Sequence, residues 1–146
     1  MHGTSHLLIS SSIGVLIAAA LFMRQPSIFT VMSCALFIFF CSVGSIAPDI
    51  DSRRAIIKSW HFFGFWRLYW LFGYAPLAMI FGKGHRGVMH SLYGLCWSMI
   101  VVYHFTWLFT TQDVAGVATL GFFVGYLLHL IEDHLFTKTP IRWLMH

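Results

Sequence analysis

Charge is what this chain of 146 residues has least of: Asp, Glu, Lys and Arg together make up 10%, against about 25% in an ordinary soluble domain. Five acidic and nine basic side chains cannot cover a water-facing surface of this size, which excludes an ordinary cytosolic enzyme. A hydrophobic content of 58% excludes a disordered or collagen-like chain. Cysteine is also scarce. Cys34, Cys41 and Cys96 lie inside apolar runs, and their odd number makes neither a disulfide framework nor a Cys-rich metal site. They read as small buried hydrophobes. No basic stretch precedes the first apolar run and no convincing cleavage site follows it, so that run is read as retained. The net charge of +4 does not point to nucleic acid, because the basic residues sit in short gaps between apolar runs. There they set membrane orientation. No internal repeat is clear.

What is present is a set of long apolar runs. A spanning helix needs about 20 such residues. The expected fold is all-α: a multi-pass membrane helical bundle, one transmembrane domain over 1–146 with spans near 5–22, 28–47, 91–109 and 114–136. Thr4 or Ser5 can cap the first helix, Pro26 can open the second, and Asp113 can cap the last. Two short links, at 23–27 and 110–113, make two antiparallel hairpins. The stretch 60–81 differs. It is rich in Trp and Tyr and interrupted by Gly64, Gly73 and Pro76, and it reads as an interfacial or re-entrant segment joining the hairpins. If it does not cross, Arg53, Arg54, Lys58, Arg67, Lys83, Arg86, Lys138 and Arg142 share one side, and Arg24 alone stands on the other. That bias makes the first side cytoplasmic, both termini included.

The few polar groups gather toward that side. His6 begins the first helix, and Asp49 and Asp51 follow the second. His85, Arg86, His90 and Ser91 precede or open the next, and His129, Glu132 and Asp133 lie near the end of the last. Ionisable groups at a membrane are functional candidates by default. His129 and Asp133, four apart, share a helical face, so they can meet on one metal, or Asp133 can orient His129. Asp49 and Asp51, freed from helix by Pro48, can converge on a cation or serve as caps. In His85-Arg86-Gly87-x-x-His90-Ser91, Arg86 suits a phosphate or carboxylate and Ser91 suits a helix cap, although a plain basic loop has the same composition. His6, Asp49, Asp51, His85, His90, His129 and Asp133 together form the ligand set of a hydrolytic divalent metal site. Zinc is favoured, manganese or iron also suits it, and one or two ions fit. Glu132 is left outside this set.

Four blocks also carry a family resemblance: Thr4-Ser5-His6, Ala47-Pro48-Asp49-Ile50-Asp51, His85-Arg86-Gly87-x-x-His90-Ser91, and Gly125-Tyr126-x-x-His129-x-x-x-Asp133-x-x-x-Thr137. In order and spacing the chain resembles the YdjM-type family of predicted membrane-bound metal-dependent hydrolases. The resemblance implies a multi-pass membrane protein with a metal-centred hydrolytic site at His6, Asp49, Asp51, His85, Arg86, His90, His129 and Asp133. The chain departs from the family pattern at three places. Ser5 separates Thr4 from His6, Ser10 stands where a glycine often follows, and 138–143 lacks the glycine usual after the last threonine.

The function expected is hydrolysis of a phosphate or other ester bond, of a lipid or amphiphile, at the cytoplasmic face of the inner membrane. Asp51, Arg86 and Asp133 are the catalytic candidates, with Asp51 or Asp133 taking the proton from water. Arg86, Ser91, Trp66 and Trp70 are the substrate-binding candidates. The alternative is a non-catalytic, metal-binding structural or regulatory membrane protein. A metal-free phosphatase with a histidine nucleophile lacks its Ser-Gly-His block, and transport lacks polar residues in the opposite half. The partner expected is membrane lipid rather than nucleic acid. Four short helices make a thin bundle, which allows a homodimer.

Overall fold

The computed structural model describes residues 3–26, 30–51, 65–81 and 88–137. Every element among them is helical. In chain order they are α1 (Gly3–Arg24), α2 (Val31–Ile46), a 3-10 turn (Pro48–Asp51), α3 (Phe65–Tyr69), a π-turn (Trp70–Tyr74), α4 (Ala75–Phe81), a second 3-10 turn (Val88–His90), α5 (Leu92–Trp107) and α6 (Gln112–Thr137). By length and composition α1 and α6 suffice to cross a membrane. α2 and α5 have 16 residues each, about 24 Å of helix at 1.5 Å per residue.

The helix ends differ from the sequence expectation in detail. Thr4 and Ser5 lie inside α1, which starts at Gly3. α2 starts at Val31 rather than at Pro26, because the Thr30 hydroxyl accepts the Ser33 N–H and satisfies one of the free donors of the first turn. Asp113 lies in the first turn of α6, and it is the Thr111 hydroxyl that accepts the Val114 N–H. The Asp113 charge still favours the positive helix end. Of the cysteines only Cys41 is buried. Cys34 is half-buried and Cys96 exposed, which corrects the expectation for both.

α6 is the centre of the bundle, packed against α1, α2 and α5. Its contact with α2 is backbone to backbone. A Cβ on Gly121 would overlap the Phe37 carbonyl, and one on Gly125 the Cys41 carbonyl. Small residues four apart let two helices approach this closely. The result places Ser45 of α2 beside His129 of α6.

The aromatic stretch enters the bundle rather than lying flat on its end. Leu68, Tyr69 and Phe72 line a small apolar cavity with Val101, Val102 and Phe105 of α5. Those α5 residues lie roughly 14–20 Å along the helix from its start. Arg67 therefore stands level with the second half of α5, away from the end to which its charge was assigned. Pro76 has no N–H to give the Phe72 carbonyl four residues back, and the Trp97 indole donates to that carbonyl at 2.9 Å. Tyr69 and Ser98 share a buried hydroxyl hydrogen bond of 2.7 Å. The chain leaves α2 and enters α5 at one end of the bundle, since Asp49 and His90 lie 3.4 Å apart.

The glycine contact makes a contrast within one helix. Gly125→Ala must separate α2 from α6 and should cost about 1–3 kcal/mol by overpacking. A Cβ on Gly116 meets nothing within 4 Å, so Gly116→Ala should be neutral or gain about 0.5–1 kcal/mol in helix propensity. Thermal unfolding of both variants in detergent measures the difference.

Candidate metal centre

Four segments deliver the polar groups to one place. α6 carries His129, Glu132 and Asp133 on its last turns, and α1 brings His6. The Pro48–Asp51 turn brings Asp49, and the Val88–His90 turn brings His90. The second turn is held by α6, because the Tyr126 hydroxyl donates to the Met89 carbonyl, next to His90. Gly94 gives it room, since a Cβ there would stand 2.5 Å from the Val88 carbonyl. Ser91 caps α5: its hydroxyl accepts the Gly94 N–H at 3.3 Å and donates to the Val88 carbonyl.

The imidazoles are oriented from behind. His129 is fully buried, and its Nδ1 donates to the Ser45 carbonyl at 2.6 Å. In the neutral ring Nε2 is then a bare lone pair. It faces Asp49 Oδ1 at 3.8 Å and Asp133 Oδ2 at 3.9 Å. His6 Nδ1 lies 2.6 Å from Glu132 Oε2, and its Nε2 lies 3.4 Å from Asp133 Oδ1. His90 Nε2 lies 3.4 Å from Asp49 Oδ1 and 3.7 Å from Asp133 Oδ2. The rings of His6 and His90 flank that of His129 at centroid distances of 4.2 and 5.4 Å.

These separations decide what the cluster can do. The distances from the three Nε2 atoms to the aspartate oxygens exceed the roughly 2.7–3.2 Å of a hydrogen bond. Among the described residues, neither nitrogen of buried His90 nor Nε2 of buried His129 has a hydrogen-bond partner. A buried polar atom left bare is costly, and a lone pair aimed at a carboxylate oxygen adds repulsion. A cation between them removes both costs. Two ligand atoms on one tetrahedral ion with bonds of about 2.0–2.1 Å stand roughly 3.4 Å apart, close to the spacing seen. The donors fit a divalent metal.

Two groups of ligand atoms lie within 4.8 Å of one another: His6, His129 and Asp133, and Asp49, His90 and His129. His129 belongs to both. With its Nδ1 committed to Ser45, the two groups share a single lone pair, and one lone pair serves one ion. Burial pushes the Asp49 carboxyl up; positive charge on the rings of His90, His129 and His6 outweighs it and holds the group below the ordinary carboxylate range.

Of the residues the sequence singled out, the structure brings together His6, Asp49, His90, His129 and Asp133. Asp51 lies in the same turn as Asp49, its side chain outside the described residues. His85 and Arg86 lie outside them as well, as does the Trp66 side chain. Trp70 is exposed and packs on Tyr74 at a ring distance of 6.2 Å. Sequence reasoning left out Glu132, Ser10 and Ser45. A glutamate on an apolar helix, three residues after His129, was a usable signal for the first. The third acts through its backbone carbonyl, which every residue has, so no signal existed.

With this geometry in view, the chain matches the family model described as YdjM inner membrane protein over residues 1–145. No curated protein and no solved structure matches it.

The shared lone pair predicts one divalent ion per chain on elemental analysis of protein purified at neutral pH. Ligand imidazoles must be deprotonated. The ion should therefore be lost as pH falls through about 6.5 and below, which dialysis at stepped pH followed by the same analysis checks.

Proposed function

We propose, for a chain that belongs to the YdjM inner membrane protein family, that the three imidazoles and two aspartates hold one divalent ion, zinc favoured, for hydrolysis of a phosphate or other ester of a lipid or amphiphile. The observation that carries the reading is the set of bare, buried nitrogens of His90 and His129 turned toward Asp49 and Asp133. One edge of the cluster is open, since the Asp49 side chain keeps 24% of its surface while His129 keeps none. A divalent ion in such a centre supplies an acidified water and a Lewis acid for the ester.

The chain's own residues do the rest. Asp133 touches all three imidazoles and serves as a ligand. The proton from water falls to Asp51, beside Asp49 in the Pro48–Asp51 turn. Arg86, a few residues before His90, holds the phosphoryl or carboxylate group bidentately. Trp66 and Trp70, in the segment that enters the bundle beside α5, seat the apolar part of the substrate.

In this reading α1, α2, α5 and α6 are four spans and the aromatic segment is re-entrant, so both termini and the centre face the cytoplasm. The 3.4 Å approach of Asp49 and His90 supports it, because a crossing segment would part them. A second reading has its own support. Five donors within reach are more than the three that catalytic zinc sites use, as a closed structural centre would require.

Purified protein assayed on amphiphilic phosphoesters and carboxyl esters separates the two. The hydrolytic reading predicts turnover abolished by chelator and by His129→Ala. It also predicts a 10²–10⁴-fold lower kcat, with the ion retained, in the variant Asp51→Asn, about the size of a general-base contribution. A retained ion with no turnover on any ester, and unfolding on chelation, favours the structural centre.

A further inference from the structure

We propose that Glu132 is a positioning residue of this centre, holding His6 so that its Nε2 faces the ion. The inference rests on the metal reading above and adds to it a residue outside the ligand set. Glu132 lies on α6 beside Asp133 but turns its carboxylate away from the aspartates, toward α1. One oxygen, Oε2, takes His6 Nδ1–H in a short bond of 2.6 Å. The other, Oε1, accepts the Ser10 hydroxyl at 3.3 Å. Glu132, His6 and Ser10 are 4%, 1% and 0% exposed.

The geometry has one chemical consequence. With Nδ1–H given to Glu132, a neutral His6 must carry its lone pair on Nε2, the nitrogen 3.4 Å from Asp133 Oδ1. Without that acceptor the ring can take either tautomer, and half of its rotations about Cβ–Cγ turn the lone pair away. A carboxylate behind a ligand imidazole also makes the ring a stronger donor. Ser10 fixes the carboxylate in turn. It sits on α1 one turn beyond His6, so His6 and its support are presented by the same helical face. His129 is oriented by a backbone carbonyl and His6 by a carboxylate, and each hydrogen bond ties another helix to α6.

The test uses cobalt(II) as the probe, titrated into full-length chelator-stripped protein in detergent and read by its visible absorption and by competition with a chelator of known affinity. Glu132→Gln keeps the shape and should weaken cobalt binding about 10-fold, and Glu132→Ala about 100-fold, the range seen when such partners are removed. Ser10→Ala should weaken it by less than Glu132→Gln. In a His6→Ala background, Glu132→Gln should cause no further loss, because Glu132 acts through His6. A merely structural tie between α1 and α6 would instead lower the unfolding midpoint and leave the affinity and the cobalt spectrum unchanged. Wild-type affinity in Glu132→Gln, or an equal loss with and without His6, overturns the proposal while the metal centre stands. If Glu132 variants do not fold, wild-type affinity in Ser10→Ala overturns it. Wild-type protein that takes up no cobalt overturns the metal reading and this inference together.

Discussion

The hydrogen bond from His129 Nδ1 to the Ser45 carbonyl holds the rest of the structure to its purpose. It can form only because α2 and α6 meet backbone to backbone at Gly121 and Gly125, about two turns and one turn before the histidine. It fixes which nitrogen of a fully buried ring bears the lone pair. In the neutral ring that lone pair faces two carboxylates at under 4 Å. Packing, tautomer and ligand set follow from one close helix contact.

The residues of the segment 125–133 each have a place in this arrangement. Gly125 admits the α2 backbone, and Tyr126 reaches across to the Met89 carbonyl and sets the turn that carries His90. His129 and Asp133, on successive turns, face one another, and Glu132 between them turns to His6. A low-dielectric surrounding makes each of these bonds stronger and each missing partner more costly. The bare nitrogens of His90 and His129 are therefore the informative part of the cluster.

Much of this was legible in the sequence, and for physical reasons. Apolar runs with few charges allow little but helices, and the described elements are all helical. The imidazoles and carboxylates stood out because such groups are rare among apolar residues, and His6, Asp49, His90, His129 and Asp133 do converge. What stayed hidden depends on three-dimensional contact. The sequence allowed one ion or two, and only the commitment of His129 Nδ1 to Ser45 reduces the shared lone pair to one ion. Glu132 stays outside the ligand set in the sequence reading because its reach to a residue 126 positions away cannot be read from spacing. The aromatic stretch looked interfacial or re-entrant, and only the packing of Leu68 and Phe72 on the second half of α5 shows that it enters the bundle.

The central claim is that four helix ends meet around one cation. An anomalous-difference map from crystals of the full chain, recorded at the absorption edge of the ion it carries, tests that claim most directly. The account predicts a single peak about 2.0–2.3 Å from the Nε2 atoms of His129 and His90 and from Asp133. A map without a peak there, with His129 Nε2 hydrogen-bonded to a protein group instead, would contradict it.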